Sequence, residues 1–212
     1  MSDIFREIDE EMRRDNLLKL WARYGRWVIA AAAAVLLAAG AAAAWRSHLL
    51  AERRAEATRY QGAVSLALDG KAADATKVFA AVAKEGGGYA LLAAFEEAGL
   101  LAKAGDQKAA IDRYDRIAGA AGIAPEFRDL AVLLAVMQGI ETDPRAAITR
   151  LAPLTAAGNP WRPTALELTA LARLEAGDKK GALALYKGLA DDPMAPRGLR
   201  ARAAEMAAAL AP

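Results

Sequence analysis

Cysteine is absent from this 212-residue chain, and histidine occurs once, as His48. Without cysteine there is neither an intrachain disulfide nor a thiolate metal site. A single histidine excludes a multi-histidine metal site. Its place just beyond a long apolar run makes it a surface imidazole, not the base of a catalytic triad. Aromatic residues make up only 6% of the chain, and the 22 Lys and Arg after residue 45 are balanced by 20 Asp and Glu, spread singly. A nucleic-acid binder would gather its basic residues on one face and interleave aromatics, so that class is excluded. No stretch alternates apolar and polar residues with period two, which leaves no candidate strand. Gly86-Gly87-Gly88 lacks the Lys-Ser/Thr of a phosphate-binding loop and reads as a hinge or linker. The acidic neighbours Glu96-Glu97, Asp112-Asp115 and Asp191-Asp192 read as solvated charges on helix faces and in turns, some paired at helical spacing. These absences leave no catalytic constellation. No enzyme activity, no cofactor, no metal and no small-molecule substrate is expected.

What the chain does have is alanine, in two patterns. The first is an uncharged run, residues 27 to 45, WVIAAAAAVLLAAGAAAAW, closed by Trp27 and Trp45 and flanked by Arg23, Arg26 and Arg46. At about 1.5 Å per residue it extends roughly 28 Å as a helix, against a hydrocarbon core of about 30 Å. Eleven of the seventeen residues between the tryptophans are alanine. The insertion energy therefore comes from Val28, Ile29, Val35, Leu36 and Leu37, at about −0.3 to −0.6 kcal/mol each near the centre. Tryptophans at both ends match the headgroup layers. Two other readings exist. A cleaved signal peptide would use Ala42 to Ala44 as its cleavage site, but its leader would carry six acidic residues. A buried core helix of the same composition is the second. A retained signal-anchor helix fits best, with a tail at residues 1–26 and a larger domain beyond residue 45.

Orientation rests on less. Arg13, Arg14, Lys19, Arg23 and Arg26 precede the run, and Arg46, Arg53, Arg54 and Arg59 follow it. The bias favours a cytoplasmic N-terminus in a bacterial inner membrane, with the C-terminal domain periplasmic. In the tail, Ile4, Phe5, Ile8 and Met12 share one helical face, followed by Leu17, Leu20, Trp21 and Tyr24, and Asp3 stands at an N-cap position. Such a helix either docks a protein or lies on lipid, and the residues do not choose between the two.

The second alanine pattern is periodic. Ala63, Ala98, Ala135 and Ala170 recur at intervals of 35, 37 and 35 residues, and Ala75, Ala110, Ala147 and Ala182 follow each of them by twelve. Between the members of each pair stand Gly70, Gly105-Asp106, Thr142-Asp143 and Gly177-Asp178. One turn after each second alanine stands a large residue: Phe79, Tyr114, Leu151 or Tyr186. The physical logic is a helical hairpin: small residues let two helices approach, Gly turns the chain, and the large residue packs into the next unit. The fold class expected is all-α, an apolar membrane helix followed by an α-solenoid of hairpins over residues 46–192, closed by a capping helix within residues 193–212. No Gly or Pro occurs between Gly40 and Gly62. The membrane helix should therefore continue into the first repeat helix, through about sixteen residues or roughly 24 Å.

The spacing resembles the tetratricopeptide repeat, in four degenerate copies from residue 55 to about 192. Phe79, Tyr114 and Tyr186 match the large positions of that family, while Leu151 departs from them, and Pro125, Pro160 and Pro193 are offset from the proline expected between repeats. The order of parts, with the segment Leu20-Trp21-Ala22-Arg23-Tyr24-Gly25-Arg26 leading into a small-residue helix that ends at Trp45-Arg46, is similar to the ancillary SecYEG translocon subunits (YfgM-like proteins). That resemblance implies a non-catalytic partner of the protein-export channel and of periplasmic chaperones. A structural scaffold of a cell-division or outer-membrane assembly complex, without client binding, is the alternative. The repeat register places Tyr60, Val64, Phe95, Val132, Val136, Leu171 and Leu174 on the inner row of the first helices as a partner-binding groove. A register one residue off would make the same positions core. The row is apolar except at Glu167, and suits an apolar helix or extended chain. The carboxylate clamp of the family lacks its residues, since the only asparagines are Asn16 and Asn159.

Overall fold

The computed structural model describes residues 2–211; the side chains of residues 1–17, 19, 20, 28 and 32 lie outside that description. The tail face of Ile4, Phe5, Ile8 and Met12, with Leu17 and Leu20, and the cap at Asp3 therefore fall outside the described residues. The architecture is all-α. Helix α1 runs Ser2–Leu68, followed by α2 (Ala72–Glu85), α3 (Ala90–Lys103), α4 (Gln107–Gly119), α5 (Pro125–Gly139) and α6 (Pro144–Leu151). After a 3-10 turn at Ala152–Thr155 come α7 (Arg162–Glu175), α8 (Lys179–Asp191) and α9 (Arg197–Leu210). The chain divides into two units, residues 1–54 and 55–212.

In the first unit α1 is the only element. Its described apolar side chains have no protein cover: Trp27 and Trp45 are each 66% exposed, and Leu36 and Leu37 more so. This is the one described helix long and apolar enough to cross a membrane. The composition explains why it is helix throughout. Alanine and leucine have high helix propensity, and the segment contains no proline.

In the second unit the end of α1 packs on α2 through Ala63, Ala75 and Phe79, and α3 with α4, α5 with α6 and α7 with α8 follow as packed hairpins, with α9 against α8. Each hairpin turns by local chemistry. Gly70, Gly105 and Gly177 have φ of 78°, 84° and 84°, a left-handed conformation that glycine adopts without steric cost. In each of these turns the N–H three residues past the end of the helix returns to a carbonyl five residues back, as Asp106 does to Leu101 and Asp178 to Arg173. Asp106, Asp143 and Asp178 then cap the second helices by accepting from the N–H of Ala109, Ala146 and Gly181, at 3.1, 3.0 and 2.8 Å. Helix α2 lacks this device, because Lys71 stands where the aspartate would be. Helix α6 is short because Pro153 has no N–H to continue an α-helix, and the chain tightens into the 3-10 turn that buries Leu154.

Four apolar clusters follow the hairpins in order, built on Ala63, Ala75, Phe79 and Val82, on Ala98, Ala110, Tyr114 and Ile117, on Leu133, Ile140, Ala147 and Leu151, and on Ala170, Ala182, Tyr186 and Leu189. All eight repeat alanines are buried. In α9, Leu199, Ala203 and Ala207 face the last cluster. Arg197, Arg202 and Glu205 are exposed, while Arg200, placed toward water with them by the sequence pattern, is half-buried.

The Gly86-Gly87-Gly88 segment is a linker between α2 and α3, and a tied turn instead of a hinge. The Glu56 carboxylate accepts from the N–H of Tyr89 at 2.7 Å and of Gly88 at 3.2 Å. Gly87 has φ 92°, and a Cβ there would lie 2.6 Å from that carboxylate. Arg59 adds an ion pair to Glu85. The turn is therefore fixed to α1 from both of its ends.

Candidate partner-binding surface

The first helix of each hairpin carries the residues of the expected inner row. Tyr60 is half-buried, its ring 5.5 Å from Phe79 and 5.0 Å from Tyr89. Val64 is half-buried beside it and lines a cleft of about 390 Å³ with Phe79, Glu96, Leu100 and Lys103. Phe95 is half-buried, 6.2 Å from the Tyr114 ring. At the other end, Leu171 lines a cleft of about 480 Å³ with Glu167, Leu168, Tyr186, Arg202 and Met206, and Leu174 packs at the edge of the last cluster. Val132 is half-buried. Val136 differs, at 2% exposed: it lies in the third cluster with Ile140, Leu151, Leu154 and Ala172 and presents no surface to a partner. The row is thus half-buried and apolar at its two ends and at Val132, and buried at Val136.

The ends of the row differ in charge. Near α9, Arg202 makes a two-pronged contact with Glu167, its Nε and Nη2 each 2.9 Å from a carboxylate oxygen. That pair ties α7 to α9 and occupies the one acidic residue of the row. Burial pushes the hydroxyls of Tyr60, Tyr114 and Tyr186 up from their ordinary value, with nearby glutamates adding to the shift. These phenols stay protonated at neutral pH and act by packing.

The acidic pairs did not all stay in solvent. Glu96 is exposed, but Glu97 is 3% exposed and pairs with Arg113 of α4 at 2.5 Å. Desolvation raises the Glu97 pKa, against the lowering effect of Arg113 and Arg116. Asp115 pairs with Arg150, joining α4 to α6, and Asp192 is half-buried against Arg162 at 3.3 Å. Glu97 stands immediately before a repeat alanine, as the buried Thr169 does in the fourth hairpin, but at the same position Gly62 is exposed and Leu134 half-buried, so the register alone did not signal its burial. His48 is exposed and lies 3.8 Å from Glu52. Among the described residues no three His, Cys, Asp or Glu side chains are grouped to hold a metal ion.

A family model for the tetratricopeptide repeat-like domain matches residues 19–192. No curated protein and no solved structure matches the chain.

Proposed function

Because the chain belongs to the tetratricopeptide repeat-like domain family, we propose that it is a membrane-anchored, non-catalytic adaptor that works through protein–protein contacts at the protein-export channel. Residues 27–45 cross the bacterial inner membrane, with Trp27, Val35, Leu36, Leu37 and Trp45 as anchor residues. The tail 1–26 is cytoplasmic. The repeats 46–192 and the cap within 193–212 are periplasmic, where they meet emerging polypeptides and periplasmic chaperones.

The observation that carries this reading is the contrast within α1. Its apolar run has no protein cover, whereas the alanines at its far end, Ala63 above all, are enclosed by a repeat domain. Exposing so continuous an apolar surface to water is costly, at about 25 cal/mol per Å². Lipid removes that cost. A domain of packed hairpins with half-buried apolar patches suits an apolar helix or extended chain better than a charged peptide. Family membership supports a role in binding proteins; the placement at the export channel rests on the order of the parts.

The test has two steps. A periplasm-dependent reporter fused after Pro212 should be active, and a fluorescent reporter that matures only in the cytoplasm should be dark. Photo-crosslinkers at Val64 and Leu171 should then capture channel subunits, chaperones or nascent exported chains. Capture of cell-division or outer-membrane assembly proteins alone would replace the adaptor by an envelope scaffold. The reverse reporter pattern would end the export reading.

A further inference from the structure

Helix α5 presents an apolar face that the expected inner row did not include. Val132 and Val136 pack toward the third cluster, and Ala131 and Ala135 belong to the second. The side left over carries Phe127, Leu130, Leu134 and Met137, a stripe at spacing i, i+3, i+7 and i+10. Phe127 is 47% exposed and Met137 51%, and Leu130 and Leu134 between them are half-buried. The stripe is about 15 Å long. An acid closes it at each end. Glu126 precedes Phe127, and Glu141 stands four residues after Met137, just past the helix. Both are exposed, and neither has an ion-pair partner among the described residues. The one cation of α5, Arg128, is half-buried and lies on the far side of the helix from Leu130. The same bias runs through the array. Helices α3, α5 and α7 hold six Asp or Glu to four Lys or Arg, whereas α2, α4, α6 and α8 hold five to ten.

Each feature restricts the occupant. An apolar stripe at three- and four-residue spacing is half of a helix–helix seam, which a second helix with the same spacing fills. Two copies of this face repel each other. Antiparallel, they set Glu126 of one copy against Glu141 of the other at both ends; parallel, each acid meets itself. Cations at the two ends of an incoming helix would instead meet both carboxylates. At an exposed rim such charges select the partner and its register more than they add affinity. We propose that this face of α5 docks an amphipathic partner helix, apolar along one side for about three turns and carrying a Lys or Arg at each end of that stripe. Its apolar side chains interleave with Phe127, Leu130, Leu134 and Met137, and its cations stand opposite Glu126 and Glu141. The proposal rests on the partner-binding reading above, to which it adds a partner chemistry, and does not depend on the membrane placement.

The test uses the full chain in micelles of an uncharged detergent. The probe is the peptide Lys-Gln-Ala-Ala-Leu-Ala-Gln-Leu-Ala-Ala-Gln-Leu-Ala-Gln-Leu-Lys, with a dye on its N-terminus and an amidated C-terminus. Fluorescence anisotropy, read against empty micelles, should show saturable binding. Glutamate in place of both lysines of the peptide should weaken it at least about tenfold, and Glu126→Lys with Glu141→Lys should reverse that preference. Phe127→Ser with Met137→Ser should weaken binding by a similar factor. If melting curves show that this pair fails to fold, the exchange of the two exposed glutamates still decides the outcome. Met194→Ser, exposed on the turn before α9, should bind as the native chain does. No saturation below about 1 mM, equal binding of the two peptides, or native binding by the Phe127 and Met137 variant overturns the proposal. A dimer in sedimentation that the same variant dissolves would give the face to a second copy, and overturns it too. Any of these results beside partner capture at Val64 and Leu171 leaves the proposed function standing. Saturable, charge-dependent binding without such capture does the reverse.

Discussion

Alanine dominates two regions of this molecule, and the two have opposite surroundings. Between Trp27 and Trp45 every described alanine is exposed, and the larger apolar side chains with them. In the hairpins, Ala63, Ala75, Ala98, Ala110, Ala170 and Ala182 have no exposed surface at all. The residue is the same, so its burial is not a property of the residue. What differs is the neighbour. In the hairpins alanine recurs beside large partners such as Phe79, Tyr114 and Tyr186, which gives the seam both closeness and filling. In the run, alanine has alanine, valine and leucine of the same helix beside it and no second helix to meet. One region is covered by protein; the other has no protein cover, which the proposed membrane anchor would supply with lipid.

The largest effect should come from testing the lipid side of that contrast. Leu36→Arg with Leu37→Arg places two charges near the centre of the run, at a cost of about 2.5–3.5 kcal/mol each. The double variant should leave the membrane fraction after carbonate extraction. Full retention in the membrane would show that the run is not inserted.

Next comes the protein side. Ala98→Leu and Ala170→Leu overpack a seam and should each lower stability by about 1–3 kcal/mol in denaturant titrations of the full chain. Ala38→Leu, the same change in the run, should leave the unfolding of the repeat domain where it was. Equal effects at all three sites would mean that the periodic alanines are only composition.

Capping offers a test of intermediate size. Asp106→Ala and Asp178→Ala should each cost about 1 kcal/mol. Lys71 has nearly the backbone conformation of Asp106, with φ −87° and ψ 53° against −83° and 68°. Lys71→Asp should therefore gain stability of about the same size. A loss on Lys71→Asp would mean that the first hairpin turn differs in kind from the others.

A smaller effect is expected from Glu97. Its folded pKa lies above the ordinary carboxylate value, so the folded state holds this proton to higher pH than the unfolded chain does. Its contribution favours folding below the unfolded value and is lost as pH rises through the folded one. Melting temperatures of the native chain, set against those of Glu97→Gln, should accordingly fall as pH rises from about 4.5. A difference that grows with pH would reverse the assignment and make the Arg113 attraction dominant. Smallest of all, Lys108→Leu on an exposed face should stay within about 0.5 kcal/mol of the native chain.

Much of the fold was legible because it is written in spacing. Twelve residues between paired alanines, and glycine or aspartate between them, define hairpins whatever the distant surroundings. The apolar run was legible for the same reason, being contiguous. The inner row was legible only in part. Tyr60, Val64, Phe95, Leu171 and Leu174 keep some surface, but Val136 is buried in the third cluster among residues of α5, α6 and α7. The glycine triplet is the linker between α2 and α3 that the sequence allows, but nothing near it in sequence shows that Glu56, thirty-two residues earlier, ties it down by supplying the acceptor for Gly88.

The sequence by itself determined the all-helical class, the hairpin period, the caps and turns, and the absence of a protein-like pattern of charges from residues 27 to 45. These depend on interactions within a few residues of the chain, where local geometry sets the outcome. Only the tertiary structure decided which charges are buried, as with Glu97 against Arg113, and which apolar positions stay at a surface. It also decided that α5 turns Phe127 and Met137 outward. Such outcomes depend on what another helix places opposite, and that distance is not a function of sequence separation.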